Sequence, residues 1–177
     1  MCLAEEAFGQ RDARFKIHEF RLAEPPSCIC FVDDYTVYIK LGTECLKDFE
    51  LACYQMAHET VHLLSPVKSG SETVLEEGVA TEFGCDFMVH HYQTLGWPKP
   101  ERNWSSTGDP IYNGAKVLAS KLLRINPGAI RILRKIQPAI SRLDPDIIRS
   151  QFPDIALSAA TELCEPFPLW AQRVKYW

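Results

Sequence analysis

The sequence lacks several features that would assign it to a common class of protein. No apolar run is long enough to span a bilayer, and the N-terminus has neither the basic start nor the apolar stretch of a signal peptide. Positive charge is not in excess, since the formal net charge is −4. The basic residues Arg131, Arg134 and Lys135 are interpreted as a solvated helix face rather than a nucleic-acid patch. We therefore expect a cytoplasmic protein that binds neither membranes nor nucleic acid, with secretion as an effector left open.

The cysteines lack the regular spacing of a disulfide framework. Their number, seven, is odd and their spacing is irregular, so buried or half-buried free thiols are the expectation for all of them. Cys28 and Cys30 have one residue between them and no second pair that would complete a structural zinc site. Two strand residues pointing the same way is the better interpretation of this pair.

One α+β domain covering residues 1–177 is the expected architecture. The length and a hydrophobic content of 46% are sufficient for a single core. After a start that is flexible or weakly helical (1–15), segments rich in β-branched and aromatic residues predict strands at 14–22, 27–32 and 35–41. We expect these strands to form a small antiparallel sheet.

Helices dominate the rest of the chain. Apolar residues at helical spacing predict one helix over 46–64 and a second over 73–95. A long loop follows at 94–110, of the kind that often carries function, and it is expected to help shape a substrate cleft. Proline and aspartate residues then divide a helical subdomain at 111–177 into short helices.

The most informative string is HETVH at residues 58–62. Residues four apart share one face of a helix, so His58 and His62 can bind one Zn²⁺ ion. The carboxylate of Glu59 can then act as general base on the attacking water. The apolar stripe that we expect to face the core consists of Phe49, Cys53, Met56, Thr60, Leu63 and Leu64. Both histidines lie on the opposite side of the helix, where they can face a cleft.

A catalytic zinc site needs a third protein ligand and an open fourth position. The candidates downstream of His62 are Glu72, Glu76, Glu77, Glu82, Asp86, His90 and His91. Glu77 shares its helix face with the small residues Ala80 and Gly84, which allow another helix to approach closely. An acidic side chain on such a face is unusual for solvent exposure and is suited to a ligand.

Residues 75–83, LEEGVATEF, resemble the (N/E)-E-G-x-A-x-x-(F/Y) signature on the helix that follows HExxH in gluzincin metallopeptidases. The resemblance implies that Glu77, which precedes the glycine, is the third ligand. It also implies a zincin-like order, in which a small sheet is followed by the HExxH helix, a glutamate helix and a helical C-terminal half. Residues 111–118, IYNGAKVL, look like the Y-x-K-G-A-x-V-L segment of gluzincin aminopeptidases. In those enzymes a tyrosine of this region stabilises the oxyanion, which implies the same role for Tyr112.

The chain departs from the aminopeptidase pattern in three places. Fourteen residues separate His62 from Glu77, fewer than in the aminopeptidases, and Tyr112 lies one residue nearer to the glycine. The G-x-M-E-N motif that grips a substrate amino terminus is absent. The resemblance therefore covers the metal site and about residues 28–125, and compact intracellular gluzincins that cleave transcriptional repressors are a comparable analogy.

Together these residues predict a zinc metallopeptidase, an endopeptidase acting on a selective protein or peptide substrate, with Glu59 as base and Tyr112 as oxyanion donor. The strand at 35–41 is expected to pair with the extended peptide. Glu82 or Asp86 could orient a ligand imidazole. The alternative is a catalytically silent zinc-binding module that regulates or recruits a partner, and the intact Glu59 argues against it. Oligomeric state and substrate identity are left open.

Overall fold

The computed structural model of the chain describes residues 1–68 and 70–175. Within these residues, eight α-helices accompany one three-stranded sheet. In chain order the elements are α1 (Cys2–Phe8), β1 (Lys16–Ala23), β2 (Cys28–Phe31), β3 (Thr36–Gly42), α2 (Phe49–His62), α3 (Val74–Asp86), α4 (Pro110–Ile125), α5 (Ala129–Ile136), α6 (Pro145–Gln151), α7 (Leu157–Leu163) and α8 (Phe167–Val174).

The sheet is mixed, so the expectation of an antiparallel sheet is wrong. β3 lies in the centre, with β2 antiparallel on one side and β1 parallel on the other. The central position suits β3 because it contributes Val37, Ile39 and Leu41, three of the six buried residues of the sheet's core cluster. The short segment 24–27 carries the chain from the end of β1 across to β2, and the amide of Gly42 at the end of β3 donates a hydrogen bond to Ser27 on this segment.

The glutamate helix α3 is buried along most of its length because it packs between α2 and α4. Two glycines permit these close approaches. A Cβ atom at Gly78 would collide with the backbone carbonyl of Ala115 in α4, and one at Gly84 would lie 2.8 Å from the ring of Tyr54 in α2. The close approach expected at Gly84 is therefore confirmed. Beyond α3, a π-helical turn and a 3₁₀ turn extend the helical path as far as Leu95.

The basic cluster of α5 is not a uniformly solvated face. Arg134 is buried, and its guanidinium donates hydrogen bonds mainly to backbone carbonyl oxygens. These acceptors belong to Phe8, Gly9, Gln10, Leu64 and Pro138. Arg134 thus joins the segment after α1 to the residues that follow α2, which is a structural role.

The cysteines follow the expected pattern with one exception. All seven are free, and the sulfur atoms of Cys28 and Cys30 lie 3.5 Å apart on one side of β2. Cys2 is exposed, so the expectation of a buried or half-buried thiol is wrong there. Among the described residues, no helix combines the length and apolar composition that crossing a membrane requires.

Candidate metal centre

Helix α2 directs its two histidines to one point. The helix begins after Asp48, whose carboxylate accepts a hydrogen bond from the amide of Leu51 (2.9 Å) and so caps the first turn. His58 and His62 lie one turn apart at the other end of the helix, and both are buried. Their Nε2 atoms are 3.2 Å apart.

The histidine face of α2 is also its buried face, which corrects the predicted core stripe. Phe49 is 54% exposed, while Cys53, Met56 and Thr60 are only half-buried. The buried residues of the helix are Tyr54, Ala57, His58, Glu59, Val61 and His62. The stripe is wrong within α2 because α3 packs against the histidine side, where its carboxylates provide polar partners for the imidazoles. The last stripe residues, Leu63 and Leu64, follow the helix and are buried as expected.

Helix α3 brings Glu77 to the histidines. Thr73 caps this helix by accepting a hydrogen bond from the amide of Glu76 (3.4 Å). Oε2 of Glu77 lies 3.3 Å from Nε2 of His58, and Oε1 of Glu77 lies 3.6 Å from Nε2 of His62. The three predicted ligands therefore form one buried group, with donor atoms all within 4.8 Å of one another, that could hold a metal ion.

A carboxylate that the sequence analysis did not assign to this role contacts His62 from the other side. Oε1 of Glu76 lies 3.1 Å from Nδ1 of His62, and Glu76 is only 2% exposed. A proton on Nδ1 can be donated to this carboxylate, which leaves Nε2 free for a metal. Glu82 instead pairs with a lysine of α4 and Asp86 is exposed, so neither orients an imidazole. The sequence signal for this role was the adjacent pair Glu76-Glu77. Neighbouring residues on a helix point about 100° apart, so one carboxylate can act as a metal ligand while the other contacts a ligand imidazole.

Burial and charge act in opposite directions on the ionisable groups of this site. Burial alone would lower the pKa of His62, but the carboxylates of Glu77 and Glu76 outweigh it and raise that pKa to about 10. Burial would raise the pKa of Glu77, yet the neighbouring imidazoles hold it below its usual value. The metal-free site therefore keeps a proton on His62 among carboxylates, and a divalent cation can take the place of that proton.

Glu59 and Tyr112 line the same small cavity as the three ligands, with a volume of about 40 Å³. Glu59 is 3% exposed, burial raises its pKa, and Oε2 has no hydrogen-bond partner among the described residues. The ring of Tyr112 lies against that of His58, with centroids 6.1 Å apart. Burial, with a smaller contribution from Glu77, raises the pKa of Tyr112, so its hydroxyl keeps its proton at neutral pH.

A larger cleft, with a volume of about 710 Å³, opens beside this cavity. His58, Glu59 and Tyr112 line both spaces. One wall of the cleft is the segment 25–27, and residues 102–109 form the facing wall above the first turns of α2. The loop at 94–110 thus contributes to a cleft at the candidate metal centre, as expected.

The strand beside the cavity is β2, not β3. Cys28 and Ile29 of β2 line the cavity, whereas β3 has a partner strand along both of its edges. The expectation that the strand at 35–41 pairs with a peptide is therefore wrong, because its backbone groups are already used. In the part of the chain that the structure describes, β2 pairs on one side only.

Comparison with known proteins identifies no relative with this arrangement. No protein-family model matches the chain, and neither a curated protein nor a solved structure matches it significantly. The candidate metal centre is accordingly defined by the positions of its own residues.

Proposed function

We propose that the protein is a gluzincin-type zinc peptidase that selectively hydrolyses peptide bonds in a protein or peptide substrate. The observation that carries this proposal is the convergence of His58, His62 and Glu77 on one buried point, with Glu59 in the same cavity. A small sheet followed by the HExxH helix, the glutamate helix and further helices supports a zincin-like architecture.

Zinc is the metal that best fits this donor set. Zinc binds imidazole nitrogen and carboxylate oxygen at about 2.0–2.2 Å in tetrahedral sites, so neighbouring donor atoms lie about 3.3–3.6 Å apart. The Nε2 atoms of His58 and His62 are 3.2 Å apart here, and one donor atom from each of the three residues can be chosen so that all lie within 4.8 Å of one another. Three protein ligands also leave the fourth position open, as in catalytic rather than structural zinc sites.

The residues around the ligands supply the remaining chemistry. A bound zinc ion acts as a Lewis acid that polarises the scissile carbonyl and lowers the pKa of water. Glu59, whose Oε2 has no hydrogen-bond partner among the described residues, would accept the proton of the attacking water and deliver it to the leaving amine. Burial raises the pKa of Glu59, a direction that suits a group that must both accept and return a proton.

Tyr112 is the proposed donor to the oxyanion. Its hydroxyl is protonated and its ring packs against His58 at the mouth of the cavity. One such donor contributes about 3 kcal/mol to transition-state stabilisation in other acyl-transfer enzymes. An extended substrate would reach this point by adding to the unpaired edge of β2 through backbone hydrogen bonds.

A comparison of the wild type with Glu59→Gln tests the proposal. Both proteins should retain zinc, because Glu59 is not a ligand, whereas cleavage of a peptide library should fall by about 10²–10⁴ in the variant. Mass spectrometry of the products measures the loss, with metal content as the control. Zinc retention without any cleavage by the wild type, or equal cleavage by both proteins, would contradict the proposal and favour the silent zinc-binding module.

A further inference from the structure

The cleft has an aromatic floor that the proposed hydrolysis does not require. Tyr54 and Trp104, both largely buried, line the cleft and stack with ring centroids 5.0 Å apart and 20° between their planes. Leu51, one turn before Tyr54 on α2, lines the cleft beside them. The floor adjoins the metal ligands, since the ring of Tyr54 lies 6.1 Å from that of His58. A side chain on this floor would therefore belong to a residue close to the scissile bond.

Glu50 holds the loop that carries Trp104. Its carboxylate accepts hydrogen bonds from the amides of Glu101 (2.6 Å) and Arg102 (3.3 Å) and from Nε1 of Trp104 (2.9 Å). Three donors on one carboxylate fix this wall of the cleft against the first turn of α2. The floor is therefore formed before any substrate binds, which lowers the entropic cost of binding.

The far end of the same loop is also anchored. The side chain of Asn113 on α4 donates to the carbonyl of Thr107 (2.7 Å) and accepts from its amide (2.9 Å). Both ends of the wall are thus held by side chains of helices that carry or adjoin the candidate metal centre. A cleft wall that is anchored at both ends can select side chains by shape and polarity.

The charged groups of the cleft disfavour an acidic side chain. Among the described residues that line it, Arg102 is the one cation, and its guanidinium is paired with Asp48. The anions Glu44, Glu59 and Asp109 lie on the same lining. On the aromatic floor a substrate carboxylate would meet these anions without a free cationic side chain, whereas a neutral apolar side chain would cover the floor.

We propose that this cleft binds a bulky apolar side chain of the substrate, aromatic or long aliphatic, on the Tyr54–Trp104 floor, and that Glu50 is the positioning residue for that floor. The proposal rests on the proposed function in one respect, namely that the ligand is a peptide. Burial of such a side chain in place of a methyl group should strengthen binding by about tenfold or more.

Equilibrium binding to zinc-loaded Glu59→Gln tests this proposal separately from hydrolysis. The probes are three acetylated and amidated nonapeptides of Gly and Ala with Phe, Ala or Gln at the centre, titrated by calorimetry. The Phe peptide should bind at least about tenfold more tightly than the Ala peptide, and the Gln peptide should gain no such affinity. Equal affinities of the Phe and Ala peptides, or tighter binding of the Gln peptide, would overturn the proposal.

Two substitutions, each made in the Glu59→Gln protein, test whether the preference for Phe arises in this cleft. Ser106→Trp places a large ring in the cleft from an exposed loop position, so it should remove the preference for Phe without disturbing the core. Trp97→Phe changes an aromatic residue outside the cleft lining and should leave the preference intact. A preference for Phe that survives Ser106→Trp would place the binding site elsewhere and contradict the proposal.

The positioning role of Glu50 is tested with the same peptides. Glu50→Gln should reduce the preference for Phe over Ala while leaving zinc content and the affinity for the Ala peptide unchanged, whereas equal weakening for all peptides would mean a purely structural role. Hydrolysis by the wild type is read separately. A preference for Phe without hydrolysis contradicts the proposed function alone, and hydrolysis without that preference contradicts this inference alone.

Discussion

The two faces of α2 invert the usual distribution of polar and apolar residues. The face that packs toward α3 buries His58, Glu59 and His62, whereas the opposite face leaves Phe49 54% exposed and Met56 half-buried. A helix that only contributes to packing turns its apolar stripe inward. Burial of charged groups costs several kcal/mol for each ion unless partners compensate. The buried histidines of α2 and the carboxylates of α3 that face them form a group that could hold a metal ion, which is the basis of the proposed function.

Removal of the metal should give the largest change in stability. A ligand present at about 1,000 times its Kd, and binding only the folded state, stabilises that state by about 4 kcal/mol. For a chain of this length that corresponds to a fall in Tm of about 10 °C on addition of a chelator. Calorimetric scans with and without EDTA measure it, and His58→Ala serves as the control that should not respond. A wild-type Tm that is insensitive to chelation would mean that the inner face is stable without a cation.

Glu76→Gln should give the next largest effect, at the level of metal affinity. Loss of the carboxylate that holds Nδ1 of His62 should weaken zinc binding by about 10–100-fold. Glu82→Gln is the matched control, because Glu82 lies on the same helix but pairs with Lys116. Competition with a chromophoric chelator measures both affinities. Equal affinities of the two variants would show that Glu76 does not support the site.

Zinc affinity should also rise with pH through the neutral range. The pKa of His62 is raised to about 10 in the metal-free protein, so zinc must displace a proton from this residue at lower pH. The apparent affinity should therefore increase about tenfold per pH unit up to about pH 10 and level off above it. Competition titrations at pH 7, 8 and 9 measure the slope. A flat profile would show that His62 is already neutral before the metal binds.

The outer face of α2 should show the smallest effect. Phe49→Ala removes an exposed ring and should change the free energy of unfolding by about 1 kcal/mol or less. Val61→Ala, on the buried face, should cost about 2 kcal/mol because it leaves a cavity. Urea titrations of the two variants compare them directly. A larger loss for Phe49→Ala would mean that the outer face is covered in solution.

Helical periodicity made part of the metal group predictable from the sequence. The directions of His58 and His62 follow from their spacing on any α-helix, which is a local relation. Glu77 was assigned through the resemblance of its Glu-Gly pattern to the gluzincin signature, because its approach to the histidines depends on how α2 and α3 pack. The contact between Glu76 and His62 also depends on that packing, which is why the role of Glu76 could not be assigned in advance.

Features that depend on tertiary partners were predicted less well. The stripe from Phe49 to Thr60 was expected inside because burial usually follows apolarity, and this assumption fails where the interior holds ligands. The pattern of a strand does not specify the direction of its neighbour, so the parallel pairing of β1 with β3 could not be read from the sequence. For the same reason the strand at 35–41 was expected to pair with a peptide, although β3 has a partner strand along both edges and β2 is the strand beside the cavity.

Metal analysis of the purified protein tests the central claim most directly. Elemental analysis by mass spectrometry should find one zinc ion for each wild-type chain, and His58→Ala, His62→Ala and Glu77→Ala should each lose it, while the neighbouring Thr60→Ala retains it. Wild-type protein that binds no zinc under saturating conditions, or zinc content that is unaffected by removal of these ligands, would contradict the account.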